Sequence, residues 1–79
     1  MVVVRLHGLL REEAGTTVLN VRGCNLEEVL QNLPPEVGEV LRRYAKHLII
    51  LADGRRIYDM KTVLDEDATV DITLPVGGG

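Results

Sequence analysis

Aromatic residues are nearly absent from this chain of 79 residues, which contains no tryptophan or phenylalanine and two tyrosines. The apolar fraction is nevertheless 46%, ordinary for a globular protein and too high for a disordered one. The core must therefore be aliphatic, and a chain of this length forms one small domain. Little room is left for a buried catalytic cleft, so the size favours a carrier, a modifier or a binding module over an enzyme.

Cysteine and histidine are also scarce. Cys24 is the only cysteine, which excludes an intrachain disulfide and any zinc or iron–sulfur site built from cysteines alone. Its acidic neighbours disfavour a thiolate, so we expect Cys24 to be a partly buried structural residue. His7 and His47 lack the short spacings of metal-binding motifs and are expected at the surface. The sequence predicts neither a metal nor a cofactor.

No run of basic residues is long enough to suggest a nucleic-acid partner, and the net charge is −3. Acidic residues concentrate at Asp65, Glu66, Asp67 and Asp71, which indicates either a solvated turn or a docking surface for a basic partner. The apolar start of the chain contains Arg5 and is too short for a signal peptide, and no stretch approaches a membrane span. The cytoplasm is the expected location, with no membrane partner.

Two hydrophobic periods alternate along the chain. VVVRLHG, TTVLNVRG and ATVDITLP have the period of strands, and LLREEAG between the first two is interpreted as a loop or short helical turn. Two helices are predicted by apolar residues at helical spacing, first at Leu26, Val29, Leu30 and Leu33, then at Val37, Val40, Leu41 and Tyr44. Asn25 and Glu28 approximate a capping box before the first helix, and Pro34–Pro35 separates the two.

The middle of the chain returns to strand. The run from Leu48 to Leu51 predicts a strand that is covered on both sides or faces a partner. Asp53–Gly54 predicts a tight hairpin turn, and Pro75 ends the last strand. The element order predicts an α+β fold with a mixed sheet of four to five strands and helix packed on one face.

This arrangement resembles the β-grasp, or ubiquitin-like, roll, in which the first and last strands lie side by side in parallel at the centre. The β-grasp domain is predicted to span residues 1–75, followed by a flexible C-terminal glycine tail over 76–79. A β-grasp ferredoxin is excluded, because its cluster needs four cysteines.

The three glycines at the end of the sequence allow several interpretations. A phosphate cradle requires a helix after the glycines, and none follows Gly79. A frayed terminus is the plain alternative. Without side chains, an extended tail can enter a narrow channel in a partner. The α-carboxylate of Gly79 is expected to be ionised, since its reference pKa is about 3.3–3.7, and can attack the α-phosphate of ATP.

The segment TVLDEDATVDITLPVGGG resembles the end of the small sulfur carriers of the molybdopterin-synthase small-subunit and thiamin thiazole type. The matching positions are Leu64, Asp65, Asp67, Val70 and Ile72, and then Pro75, Val76, Gly78 and Gly79 in the tail. The chain departs from the molybdopterin branch at Gly77, where Ala is common, and at Leu74, where a second proline is common. The usual phenylalanine before Leu74 is also absent.

The resemblance implies that Gly79 is the reactive site. An adenylating enzyme of the ubiquitin-activating type would activate its carboxylate, and a sulfur donor would convert it to a thiocarboxylate. An acceptor synthase subunit would then receive the sulfur for a molybdopterin, tungstopterin or thiamin-like cofactor. Pro75, Val76, Gly77 and Gly78 are implied in recognition of the tail. The protein itself would not be an enzyme.

Two alternatives share these residues. The chain could be a ubiquitin-like modifier conjugated through Gly79 to lysines, or a non-catalytic β-grasp interaction domain. The partner-binding face also remains open, because Val3, Leu51 and Tyr58 could be either apolar contacts or core.

Overall fold

The computed structural model describes residues 1–75, which form one mixed sheet with helices on one side. The elements are β1 Val2–Leu6, α1 Gly8–Ala14, β2 Val18–Val21, α2 Leu26–Gln31, α3 Pro35–Arg43, a short 3-10 turn Ala45–His47, β3 Ile49–Ala52, β4 Arg55–Arg56 and β5 Thr69–Thr73. The longest helix in this part of the chain, α3, has nine residues, and none of its helices is long and apolar enough to cross a bilayer.

The sheet has the strand order β2-β1-β5-β3-β4. β1 pairs with β5 in parallel, while the other neighbouring strands are antiparallel. The first and last strands therefore lie together at the centre, and the predicted β-grasp arrangement is confirmed.

The core is aliphatic, as the composition predicts. Strand residues that alternate along β1 and β5 are fully buried, among them Val4, Leu6, Val70 and Ile72. The helices cover this face with a second apolar layer, contributed mainly by Leu26, Val29, Val37, Val40 and Leu41. Among residues 1–75 no polar or charged residue is buried. The hydrophobic effect therefore drives the packing of helices on the sheet.

Local signals set the boundaries of the central helices. The Asn25 side chain accepts a hydrogen bond from the backbone N–H of Glu28 at 2.8 Å, which caps α2. The Glu28 carboxylate accepts from the N–H of Cys24, one residue before the cap. Pro34 precedes α3 and Pro35 occupies its first turn, where a missing N–H costs little.

The β3–β4 hairpin turns at Asp53–Gly54, as predicted. Both residues have positive φ, 48° and 84°, which matches the twist of the flanking strands. Asp53 further secures the turn because its side chain accepts from the N–H of Thr69 at 2.9 Å.

In two parts of the chain the structure decides between alternatives that the sequence leaves open. LLREEAG, predicted as a loop or short helical turn, lies in helix α1, where Leu10 is fully buried and Glu13 is bonded to Arg43 and Tyr44. The strand predicted at Leu48–Leu51 is not covered on both sides by residues 1–75, since Ile50 is buried and Leu51 only half-buried. Its second face lies on the uncovered side of the sheet.

Gly23 is required by a close approach between the β2–α2 loop and the helix. A Cβ added there would lie 2.7 Å from both the backbone nitrogen and Cγ2 of Val29. Gly23→Ala is therefore expected to lower the free energy of unfolding by about 1–3 kcal/mol, because the helix must shift. Gly38→Ala, in the interior of α3, is the matched control and is expected to raise it by about 0.5–1 kcal/mol. Urea denaturation of both variants checks this, and equal effects would contradict it.

Candidate functional site

The predicted functional tail begins where the described residues end. Pro75 is exposed and follows β5 directly. Val76, Gly77, Gly78 and Gly79 lie outside the described residues, so their predicted roles stay predictions.

The strand that leads to the tail is held on both sides. Thr73, the last residue of β5, lies opposite Ile49 at the start of β3. On the other side, the carbonyl of Ile72 accepts a hydrogen bond from the N–H of His7 at 3.2 Å. The chain therefore leaves the sheet from its centre, beside the end of β1, and the position of Pro75 is determined by two neighbouring strands.

The side of the sheet away from the helices carries no covering element among residues 1–75, and we call it the open face. Alternation along the strands places Val3 and Arg5 of β1, Asp71 of β5 and Leu51 of β3 on this side. Val3 and Leu51 are half-buried. Neither belongs to the buried core, which leaves both available as apolar contacts.

An ion cluster occupies the middle of the open face. Arg5 donates to Asp71 through Nε at 2.7 Å and through Nη2 at 3.0 Å, and His7 Nε2 lies 2.8 Å from Asp71 Oδ1. Arg5 and His7 are about half-exposed, whereas the Asp71 side chain is 15% exposed. The hydrogen bonds from Arg5 hold the pKa of Asp71 below its ordinary value, against the opposing effect of burial, and His7 lowers it further.

The acidic cluster near the end of the chain is thus divided by the fold. Asp65, Glu66 and Asp67 are exposed in the turn before β5, as the solvated-turn interpretation predicts. Asp71 instead lies in β5 and accepts a hydrogen bond from Arg5, so it is not part of the acidic turn that precedes the strand. The sequence contains a signal for this pair, because both residues lie on polar faces of strands that the β-grasp places side by side.

The remaining candidate residues lie apart from this face or apart from one another. Tyr58 is 82% exposed, so it is not core, and the Arg56 guanidinium lies 4.9 Å from the centre of its ring. His47 is exposed, as predicted. Cys24 is exposed rather than partly buried, because it lies in the loop that turns back over α2. Across residues 1–75 no group of ligating side chains is arranged to hold a metal ion.

Comparisons with known proteins identify structural relatives. No family model and no curated protein matches the chain in sequence. Small archaeal modifier protein 1 from Haloferax volcanii superposes with a TM-score of 0.76 at 19% identity, over 99% of this chain and 98% of that one. Mycobacterium tuberculosis CysO gives 0.81 at 17% identity, over 96% and 100%. A chain from the complex of subunits 1 and 2 of the molybdopterin-converting factor of Helicobacter pylori gives 0.71 at 22% identity, over 99% and 97%.

These likenesses show the fold. Each spans nearly the whole of both chains, which supports the ubiquitin-like β-grasp fold. One of the structures comes from the molybdopterin-converting factor, which agrees with the resemblance found in the terminal motif. Identities this low do not carry an activity from one chain to another, because one fold supports many functions.

The Arg5–Asp71 pair is expected to make stability depend on pH. Because the pKa of Asp71 is lower in the folded than in the unfolded chain, its contribution is present above the unfolded value of about 3.9 and is lost as pH falls through the folded value. Asp71→Asn should therefore cost about 0.5–1 kcal/mol at pH 7, and less below about pH 4.

Chemical denaturation across this pH range measures the difference between the two proteins. Asp67→Asn, in the exposed turn, is the matched control and should leave stability nearly unchanged at each pH. A constant gap between the native chain and Asp71→Asn at all pH values would contradict the prediction.

Proposed function

We propose that this chain is a ubiquitin-like carrier protein whose terminal Gly79 carboxylate is activated by a partner enzyme and loaded with sulfur. The observation that carries the proposal is the motif Pro75 to Gly79 placed directly after the central strand of a β-grasp sheet. β5 is hydrogen-bonded by β1 and β3, so the segment that follows starts from a fixed point. A rigid body followed by glycines suits insertion into a partner's active site.

The chemistry follows from an unhindered carboxylate. An oxygen of the Gly79 carboxylate attacks the α-phosphorus of ATP, pyrophosphate leaves, and an acyl-adenylate forms in the partner. A sulfide-equivalent nucleophile from a sulfur donor then attacks the acyl carbon and displaces AMP, which leaves a thiocarboxylate. An acceptor synthase subunit takes the sulfur into a cofactor precursor, and water restores the carboxylate. This chain supplies the reactive end and the docking surface, while its partners supply the catalytic groups.

The open face is the surface we assign to the adenylating enzyme. It includes the outer face of β5, so a partner seated on it is also close to the point where β5 ends, two residues before Pro75. Val3 and Leu51 offer apolar contact, and the Arg5–His7–Asp71 cluster offers oriented polar groups between them. Ordering each tail residue costs roughly 1–2 kcal/mol, which contacts with the open face would offset.

Conjugation to lysine is the second candidate. Likeness to a protein named as a modifier favours it, because a lysine amine can attack the same activated acyl carbon of Gly79 and displace AMP. Intact-mass analysis of the chain purified with its native partners separates the two. Exchange of one oxygen for sulfur at the terminus supports sulfur carriage, and isopeptide-linked Gly79 supports conjugation. Finding neither would favour the interaction domain and contradict both.

Deletion of Gly78 and Gly79 is expected to abolish ATP-dependent adenylation and to leave the thermal unfolding midpoint unchanged. The physical reason is that the deleted residues follow Pro75, beyond the last strand. Gly77→Ala is the matched control, because the related carriers often have alanine there, and it should be adenylated nearly as well as the native chain. Incorporation of radiolabelled AMP measures both. Unchanged adenylation of the truncated chain would overturn the proposed role of the tail.

A further inference from the structure

A second surface lies on the opposite side of the molecule, between the helices. An apolar groove of about 370 Å³ runs between α2 and α3, and we call it the α2–α3 groove. Its apolar lining and floor are formed by Leu30, Leu33, Gly38, Leu41, Leu48 and Met60. The groove continues into a hollow of about 280 Å³ that shares Leu30, Leu48 and Met60 and reaches Tyr58. Together the α2–α3 groove and this hollow form one elongated apolar surface, which we call the channel. The channel lies on the opposite side of the sheet from the open face.

Gly38 leaves this groove open at a cost to the helix. Glycine in a helix interior is about 0.5–1 kcal/mol less favourable than alanine. A Cβ at this position would approach the Arg42 guanidinium at 3.4 Å as its nearest neighbour, so packing within residues 1–75 does not demand glycine here. At Gly23, by contrast, glycine is required because a Cβ would collide with the backbone of Val29. The nearest neighbour over Gly38 is thus the exposed, flexible Arg42 side chain and not backbone, so a side chain from another molecule can enter there beside the guanidinium.

The charges at the groove are positive although the chain as a whole is acidic. The net charge is −3, yet Arg42 lines one end of the channel and Arg56 the other. None of the four ion pairs among residues 1–75 includes either arginine. Glu27, an acidic residue of the lining, is paired with Lys61 at 2.6 Å. An approaching anionic side chain thus meets unpaired positive charge at both ends of an apolar surface.

From this combination we infer that the α2–α3 groove binds an acidic amphipathic helix of a partner protein. Two apolar side chains one helical turn apart would occupy the space above Gly38 and beside Met60, in the manner of helix-in-groove recognition. Acidic side chains next to them would pair with Arg42 and Arg56. Met60 is 42% exposed, and its flexible thioether suits a surface that adapts to a partner. Because this surface is separate from the tail and the open face, the inference stands independently of the sulfur chemistry.

The test uses the full chain, labelled with ¹⁵N, and a synthetic peptide of about 15 residues that places leucines on one helical face and glutamates on the other. The expected result is saturable binding, with amide shifts at α2, α3 and residues 58–60, that weakens as salt is raised. A peptide with lysine in place of each glutamate should bind at least about tenfold more weakly. Shifts confined to the open face, equal binding of both peptides, or no binding of the acidic peptide would overturn the inference.

Variants of the chain test the groove directly. Arg42→Glu should weaken binding of the acidic peptide at least about tenfold through repulsion, and Gly38→Leu should do so by filling the space. Arg55→Glu is the matched control, since this exposed arginine lies outside the channel and should change affinity no more than about twofold. Thermal unfolding of each variant establishes that it is folded. If Gly38→Leu fails to fold, the test rests on Arg42→Glu alone. An affinity for the acidic peptide that is unchanged by Arg42→Glu contradicts the inference.

Discussion

The parallel pairing of β1 with β5 is the constraint on which the rest of the structure depends. It joins segments 66 residues apart, from Val3 opposite Thr69 to Leu6 opposite Ile72. A contact so distant along the chain carries a large loop-closure cost, and the fully buried faces of both strands offset it. With β1 on one side and β3 on the other, β5 is paired along both edges from Val70 to Ile72. The last strand of the chain is therefore among its most firmly held parts.

The central sheet that contains β5 also separates the open face from the α2–α3 groove, the two surfaces that we propose as docking sites. Its buried face supports the helices and, through them, the α2–α3 groove. Its opposite face presents Asp71, which ties β5 to β1 through Arg5, and the half-buried Val3 and Leu51 lie on the same face. A partner on one surface does not obstruct a partner on the other. The two docking surfaces that we propose therefore lie on opposite sides of one small domain.

The fold and the terminal motif support different conclusions, the first about architecture and the second about the proposed chemistry. The β-grasp likeness extends over almost the whole chain at identities of 17–22% among the structures compared, which is enough to establish architecture. Architecture alone supports many activities. The proposed chemistry rests instead on the residues from Pro75 onward, whose motif resembles that of the small sulfur carriers. A glycine segment elsewhere in the same fold would carry no such proposal.

Most strands and both central helices were predictable from the amino-acid sequence, because the signals for them are local. The period of apolar residues, the Asn25 cap and the Asp53–Gly54 turn each act within a few residues. For LLREEAG the sequence left loop and short helical turn open, and the burial of Leu10 against the core in the folded chain accompanies the helix. The hydrogen-bond geometry of the Arg5–Asp71 pair and the apolar groove likewise follow from the tertiary structure. Such contacts depend on which distant segments the strand order brings together. A pattern of a few neighbouring residues does not specify that pairing.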